Sequence, residues 1–63
     1  MNVYDVIDVA KILKVSKNTV YRLLNNGKLM YFKIGATRKI SEHALNEFIR
    51  KREEECRKEL TAS

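Results

Sequence analysis

Residues 10–24 read Ala-Lys-Ile-Leu-Lys-Val-Ser-Lys-Asn-Thr-Val-Tyr-Arg-Leu-Leu, and this stretch decides the architecture. Ser16 is a strong helix N-cap, and Val20, Leu23 and Leu24 beyond it form one apolar stripe. Gly27, after Asn25 and Asn26, is a natural stop, so the pattern predicts a helix over about residues 17–26. Upstream, Val6, Val9, Ala10 and Leu13 recur at spacings of three, one and three, again one face of a helix. Asp5 can cap it and Asp8 places a second carboxylate near the positive helix end, predicting a helix over about residues 6–13. Only Lys14, Val15 and Ser16 separate the two, which forces them into direct contact. A small residue, Ala10, falls where the helices cross, because a larger side chain would push them apart. Val15 is expected beneath the turn, with Val20 and Leu23 closing the core from the second helix. A plain αα-hairpin that binds nothing satisfies the same periodicity.

Beyond Gly27 the character changes. Met30, Phe32 and Ile34 alternate with Tyr31 and Lys33, which is strand periodicity over Leu29 to Ile34. Gly35-Ala36-Thr37 supplies a turn and Arg38-Lys39-Ile40 a short return strand. Ser41 then caps a third helix whose apolar face is Ala44, Leu45, Phe48 and Ile49, with Glu42 in its first turn. After Arg50 the pattern is almost wholly charged. Arg50/Glu54, Lys51/Glu55, Glu53/Arg57 and Glu54/Lys58 are opposite charges four residues apart, each supporting an exposed helix by roughly 0.2–0.5 kcal/mol. The helix is expected to run from about residue 42 into the high fifties and then fray. Residues 1–50 therefore read as one small domain and 51–63 as a charged helical extension with a frayed tail.

The charge is uneven along the 63 residues. Residues 1–40 hold eight Lys/Arg against Asp5 and Asp8, a balance of +6, whereas residues 41–63 hold five basic and six acidic side chains, a balance of −1. A basic field concentrated on one part of a small domain points to a polyanion, although lysines that merely solvate the surface give the same count. Cys56 is the only cysteine and His43 the only histidine, so no disulfide framework and no ordinary Cys/His metal site can be assembled. Neither has a catalytic partner in sequence, and Glu53-Glu54-Glu55 reads as a solvated helix face rather than an acid/base pair. A lone cysteine fits a reducing compartment. No apolar run spans a membrane, and the acidic N-terminal stretch does not read as a signal peptide. The sequence thus predicts no enzyme, no cofactor, no metal, no membrane association and no small-molecule substrate.

The order helix, three-residue turn, helix, hairpin, helix is that of a mainly α winged helix-turn-helix with a small β-hairpin. Residues 10–24, then Gly27-Lys28-Leu29, the wing-like Phe32-Lys-Ile-Gly35 and Arg38-Lys-Ile-Ser41, and the closing Ala44-Leu45 and Glu47-Phe48 resemble the excisionase-type winged helix-turn-helix family, related to the DNA-binding domains of MerR-type regulators. The resemblance covers about residues 5–49. Two positions depart from it. Glycine with positive φ commonly stands where this chain has Lys14, and lysine costs roughly 1 kcal/mol there if that geometry is kept. The wing position of Arg38 is often aromatic in relatives.

The resemblance implies that the second helix enters the major groove of double-stranded DNA while the wing touches backbone or minor groove. With Val20, Leu23 and Leu24 inward, Lys17, Asn18, Tyr21, Arg22 and Asn25 face out. Asn can pair with adenine and Arg with guanine, while Lys17 and Lys28 suit phosphates. Ser16 and Thr19 lie at the helix start, where Thr19 either meets phosphate or bonds back to the cap. Lys33, Thr37, Arg38 and Lys39 cluster near Gly35 and suit backbone or minor-groove contact. The competing structural roles are an ion pair for Arg22, packing over the wing base for Tyr21, and a solvated tip for the wing. Tyr4, Tyr31 and Phe32 read as core or core-edge residues. The implied role is a recombination directionality factor that binds and bends DNA for an integrase during excision of a mobile element, in a bacterial or phage-encoded, cytoplasmic, nucleoid-associated setting. A small transcriptional regulator with the same module is the alternative. A module of another class, recruiting an integrase or a second copy on adjacent DNA sites through the face that carries Cys56 and Leu60, is the rival.

Overall fold

A computed structural model describes the backbone of residues 2–62 and the side chains of residues 2–58. The chain runs β1 (Val3–Tyr4), α1 (Val6–Leu13), α2 (Lys17–Asn25), β2 (Phe32–Ile34), β3 (Thr37–Ser41) and α3 (Glu42–Ala62). Three helices and a small antiparallel sheet of order β1-β3-β2 make the winged helix-turn-helix arrangement that the sequence predicts.

Each helix begins where a side chain satisfies its first free amides. The Asp5 carboxylate accepts from the Asp8 amide at 2.8 Å, and the Asp8 carboxylate accepts in return from the Asp5 amide at 3.3 Å, a reciprocal cap. That amide of Asp8, assisted by the charge of Lys39, holds the Asp5 carboxyl below its ordinary value of 3.8. Ser16 Oγ accepts from the Thr19 amide at 3.2 Å, and Ser41 Oγ from the Ala44 amide at 3.1 Å.

Helices α1 and α2 end in the same way. After α1 the Val15 amide donates to the Ala10 carbonyl at 3.0 Å and the Lys14 amide to that of Lys11 at 3.3 Å. After α2 the Lys28 amide donates to the Leu23 carbonyl at 3.0 Å and the Gly27 amide to that of Leu24 at 3.2 Å. This is the six-to-one, five-to-two pattern of a helix stop, which requires one left-handed residue. Gly27 fills that place in α2 with φ +74°, and Lys14 fills it in α1 with φ 58°, ψ 46°. The glycine-type geometry is therefore kept at Lys14. Lysine pays roughly 1–2 kcal/mol in that region and glycine roughly 0.5–1 kcal/mol of chain entropy, so Lys14→Gly should stabilise by about 0.5–1 kcal/mol. Thermal unfolding checks this, and an unchanged or lowered Tm would show that the lysine stem contributes packing that offsets its strain.

The stop after α2 also shortens the expected first wing strand. Leu29 donates its amide to the Leu23 carbonyl at 3.2 Å and is fully buried, so it completes the helix end instead of starting a strand. Strand β2 begins at Phe32 and pairs Phe32 with Lys39, Lys33 with Arg38 and Ile34 with Thr37. Gly35-Ala36 closes the hairpin, with φ +62° at Gly35. The return strand is longer than expected because residues 40–41 pair on its other edge with β1, a strand the sequence reading does not contain: Tyr4 opposite Ile40 and Val3 opposite Ser41.

Val6, Val9, Ala10, Val20, Leu24, Leu29, Ile40 and Leu45 form the buried core, with Tyr4, Leu13, Leu23, Ala44, Phe48 and Ile49 packed around it. Ala10 is buried, as the crossing requires. Val15 is 39% exposed, because the turn puts its amide into the α1 stop and its side chain at the edge of the helix pair rather than beneath it. Helix α3 passes beyond this core. Its last contributors are Phe48 and Ile49, and residues 50–58 are exposed. There Arg50 bonds Glu47 at 2.7 Å and Glu54 at 3.0 Å, and Arg52 bonds Glu55 at 2.9 Å. Leu60, which spacing assigns to the face of Cys56, lies outside the described side chains.

Candidate nucleic-acid interface

Helix α2 is divided by its own periodicity. Val20 and Leu24 are buried and Leu23 half-buried, which turns Lys17, Asn18, Tyr21, Arg22 and Asn25 to the exterior as the stripe predicts. Among the described residues Arg22 makes no ion pair. Its guanidinium and the ammonium of Lys17 are exposed on one helix with no acidic residue anywhere in its length.

Not every residue singled out in the sequence lies on this face. Thr19 is half-buried and its hydroxyl lies 3.0 Å from Ser16 Oγ, so both hydroxyls belong to the cap. Thr19 and Lys28 line a different feature, a groove of about 810 Å³ between the helix pair and α3. Leu13, Val15, Leu23, Phe48, Ile49 and Cys56 supply its apolar wall, and Arg52, Glu53 and Arg57 its charged rim.

The wing contributes Lys33, Thr37, Arg38 and Lys39. Lys33 and Arg38 face each other across the hairpin. Arg38 shares its strand face with the buried Ile40 two residues on, so it turns toward the helices rather than outward from the tip. It is half-buried, and its Nη1 donates to Asn25 Oδ1 at 3.1 Å. Its Cζ lies 5.8 Å from the centroid of the Tyr21 ring and 5.2 Å from that of Tyr31. Tyr21 therefore does meet the base of the wing, through a cation rather than through apolar packing. Thr37 and Arg38 also border a cleft of about 400 Å³ with Tyr21, Ala36 and the start of α1. Lys39 is half-buried and close enough to Asp5 to act on its carboxyl.

Tyr31 is the member of this cluster that sequence reasoning missed as a site residue. The signal was present: alternation along 30–34 puts Tyr31 on the side of Lys33, which the register places opposite Arg38. Tyr31 and Phe32 are 38% and 41% exposed, so they edge the core rather than fill it, and Met30 and Ile34 are more exposed still. No group of acidic, histidine or cysteine side chains that could hold a metal occurs among the described residues, and no described helix is long and apolar enough to cross a membrane.

A family model described as a helix-turn-helix domain matches residues 3–53. No curated protein and no solved structure matches the chain. The matched span contains every element up to the first half of α3, including both wing strands and β1.

Proposed function

The chain belongs to the helix-turn-helix domain family, and from that premise we propose that it is a sequence-specific duplex-DNA-binding protein of the excisionase type, with no catalysis of its own. It binds and bends DNA as a directionality factor for an integrase in the cytoplasm. The observation that carries the DNA reading is the outer face of α2. Lys17, Asn18, Tyr21, Arg22 and Asn25 form an acid-free row of cations and hydrogen-bonding side chains beside a wing that adds Lys33 and Arg38. Long cationic side chains reach phosphates, and Arg and Asn carry the donor geometry that base edges require. The excisionase assignment rests on the resemblance of residues 5–49.

Arg22 and Lys39 separate base reading from backbone holding. Arg22→Ala should cost about 1–3 kcal/mol of affinity for a preferred duplex and relax the preference at one base pair. Lys39→Ala should weaken preferred and random duplexes about equally. Competition titrations of each variant with both duplexes make the comparison. An unchanged specificity ratio for Arg22→Ala makes that residue a DNA-backbone contact or a structural residue.

The groove beside α3 favours a second role, contact with an integrase or with a neighbouring copy on adjacent sites. The tail that forms one wall of it adds little to the core. Truncation after Lys51 should leave Tm nearly unchanged and single-site affinity within about threefold, the scale of surface changes. It should reduce cooperative binding to two adjacent sites or integrase-dependent excision. Loss of folding on truncation would assign the tail to the core, and unchanged two-site binding and excision would remove the second role.

A further inference from the structure

Arg38 has partners on two elements, and their chemistry fixes the polarity of a third group. A guanidinium carries only donors, so the atom of Asn25 that faces it at 3.1 Å is the side-chain oxygen, and the amide nitrogen is turned away. The two tyrosine rings at 5.8 and 5.2 Å hold the guanidinium in cation–π range, so Arg38 is retained at the junction of helix and wing. Asn25 is the last residue of α2 and is exposed on the same face as Tyr21 and Arg22, one helical turn beyond Tyr21.

Asparagine pairs with adenine by using both ends of its amide: the nitrogen donates to N7 and the oxygen accepts from N6. Guanine presents acceptors at both corresponding positions, N7 and O6. We propose that Arg38 is a positioning residue that engages the Asn25 oxygen, so that Asn25 meets the major groove as a donor and selects guanine over adenine. This inference rests on the DNA-binding reading above. It moves Arg38 from the phosphate-contacting tip of the wing to the support of the recognition helix. Asn25 becomes the residue whose base choice the wing sets.

The test is selection of preferred sites from randomised duplexes by the full chain and three variants. Asn25→Ala identifies the position, as the one whose preference disappears. There the unaltered chain should favour guanine over adenine by about tenfold, within the range for one good pair of base contacts. Arg38→Met keeps a long apolar stem over the rings but releases the Asn25 oxygen, and should shift the ratio toward adenine by a similar factor. Asn25→Asp retains the bond from Arg38 but has no donor, and guards against loss of folding in Arg38→Met. It should lose the guanine preference in favour of cytosine, whose N4 donates to carboxylates. A preference for adenine in the unaltered chain, an unchanged ratio in a folded Arg38→Met, or a retained guanine in Asn25→Asp overturns the inference. Failure of the unaltered chain to bind any duplex refutes the DNA reading itself, and is recognised without any variant.

Discussion

Ile40→Ala should unfold a large part of the population at room temperature. Ile40 is fully buried and lies in the central strand of the sheet, opposite Tyr4 of β1 and in one core cluster with Val9, Val20, Leu29 and Leu45. Truncating a buried isoleucine to alanine costs about 2–5 kcal/mol, the lost transfer free energy plus the cavity left behind. A domain of this length has roughly 3–9 kcal/mol in total, at about 0.05–0.15 kcal/mol per residue. The loss is therefore comparable to the whole. Ile40→Val removes one methylene and should cost only about 0.5–1.5 kcal/mol. Urea unfolding followed by helical circular dichroism distinguishes the two. A midpoint for Ile40→Ala within the range of Ile40→Val would mean that the wing strand is docked on the helices rather than built into their core.

The features that were legible in the sequence are local ones. Asp5, Ser16 and Ser41 announce the three helix starts because a cap involves residues three apart. The stripe Val20, Leu23, Leu24 announces which side of α2 faces out. Gly27 announces its end. What escaped depends on pairings across the chain. Strand β1 is two residues long and exists because residues 3–4 meet 40–41, a contact with no periodicity of its own. Leu29 reads as strand by alternation but is drawn into the stop of α2, where its amide shares the Leu23 carbonyl with that of Lys28. The site divides the same way. The outward row on α2 follows from helical spacing, whereas the contacts of Arg38 with Asn25, Tyr21 and Tyr31 depend on the wing folding back over the end of that helix. A cation near a glycine turn looks like a mobile tip until the strand parity that pairs it with Ile40 on the inner face is known. Lys14 is the opposite case: the sequence marks the position as one that commonly takes glycine, and the fold keeps the left-handed geometry with a lysine in it.

Binding to duplex DNA should fall steeply with salt, which is the second large effect expected of this chain. Lys17, Arg22, Lys28, Lys33, Arg38 and Lys39 are the cations of α2, the turn after it and the wing. Arg38 is engaged inward and Lys28 lines the groove beside α3, so fewer than all six are available to phosphates at full strength. Each phosphate neutralised releases condensed counterions and adds about −0.9 to the slope of log K against log salt, and four or five such contacts give about −3 to −5. Between 50 and 200 mM salt that is a loss of roughly 10²- to 10³-fold in affinity. The measurement that tests the central claim most directly is therefore a salt titration of the full chain against a fluorescent duplex, read by anisotropy. The account predicts saturable binding at low salt and a slope of about −3 to −5. A slope near zero, or no binding to duplex at low salt, would contradict it.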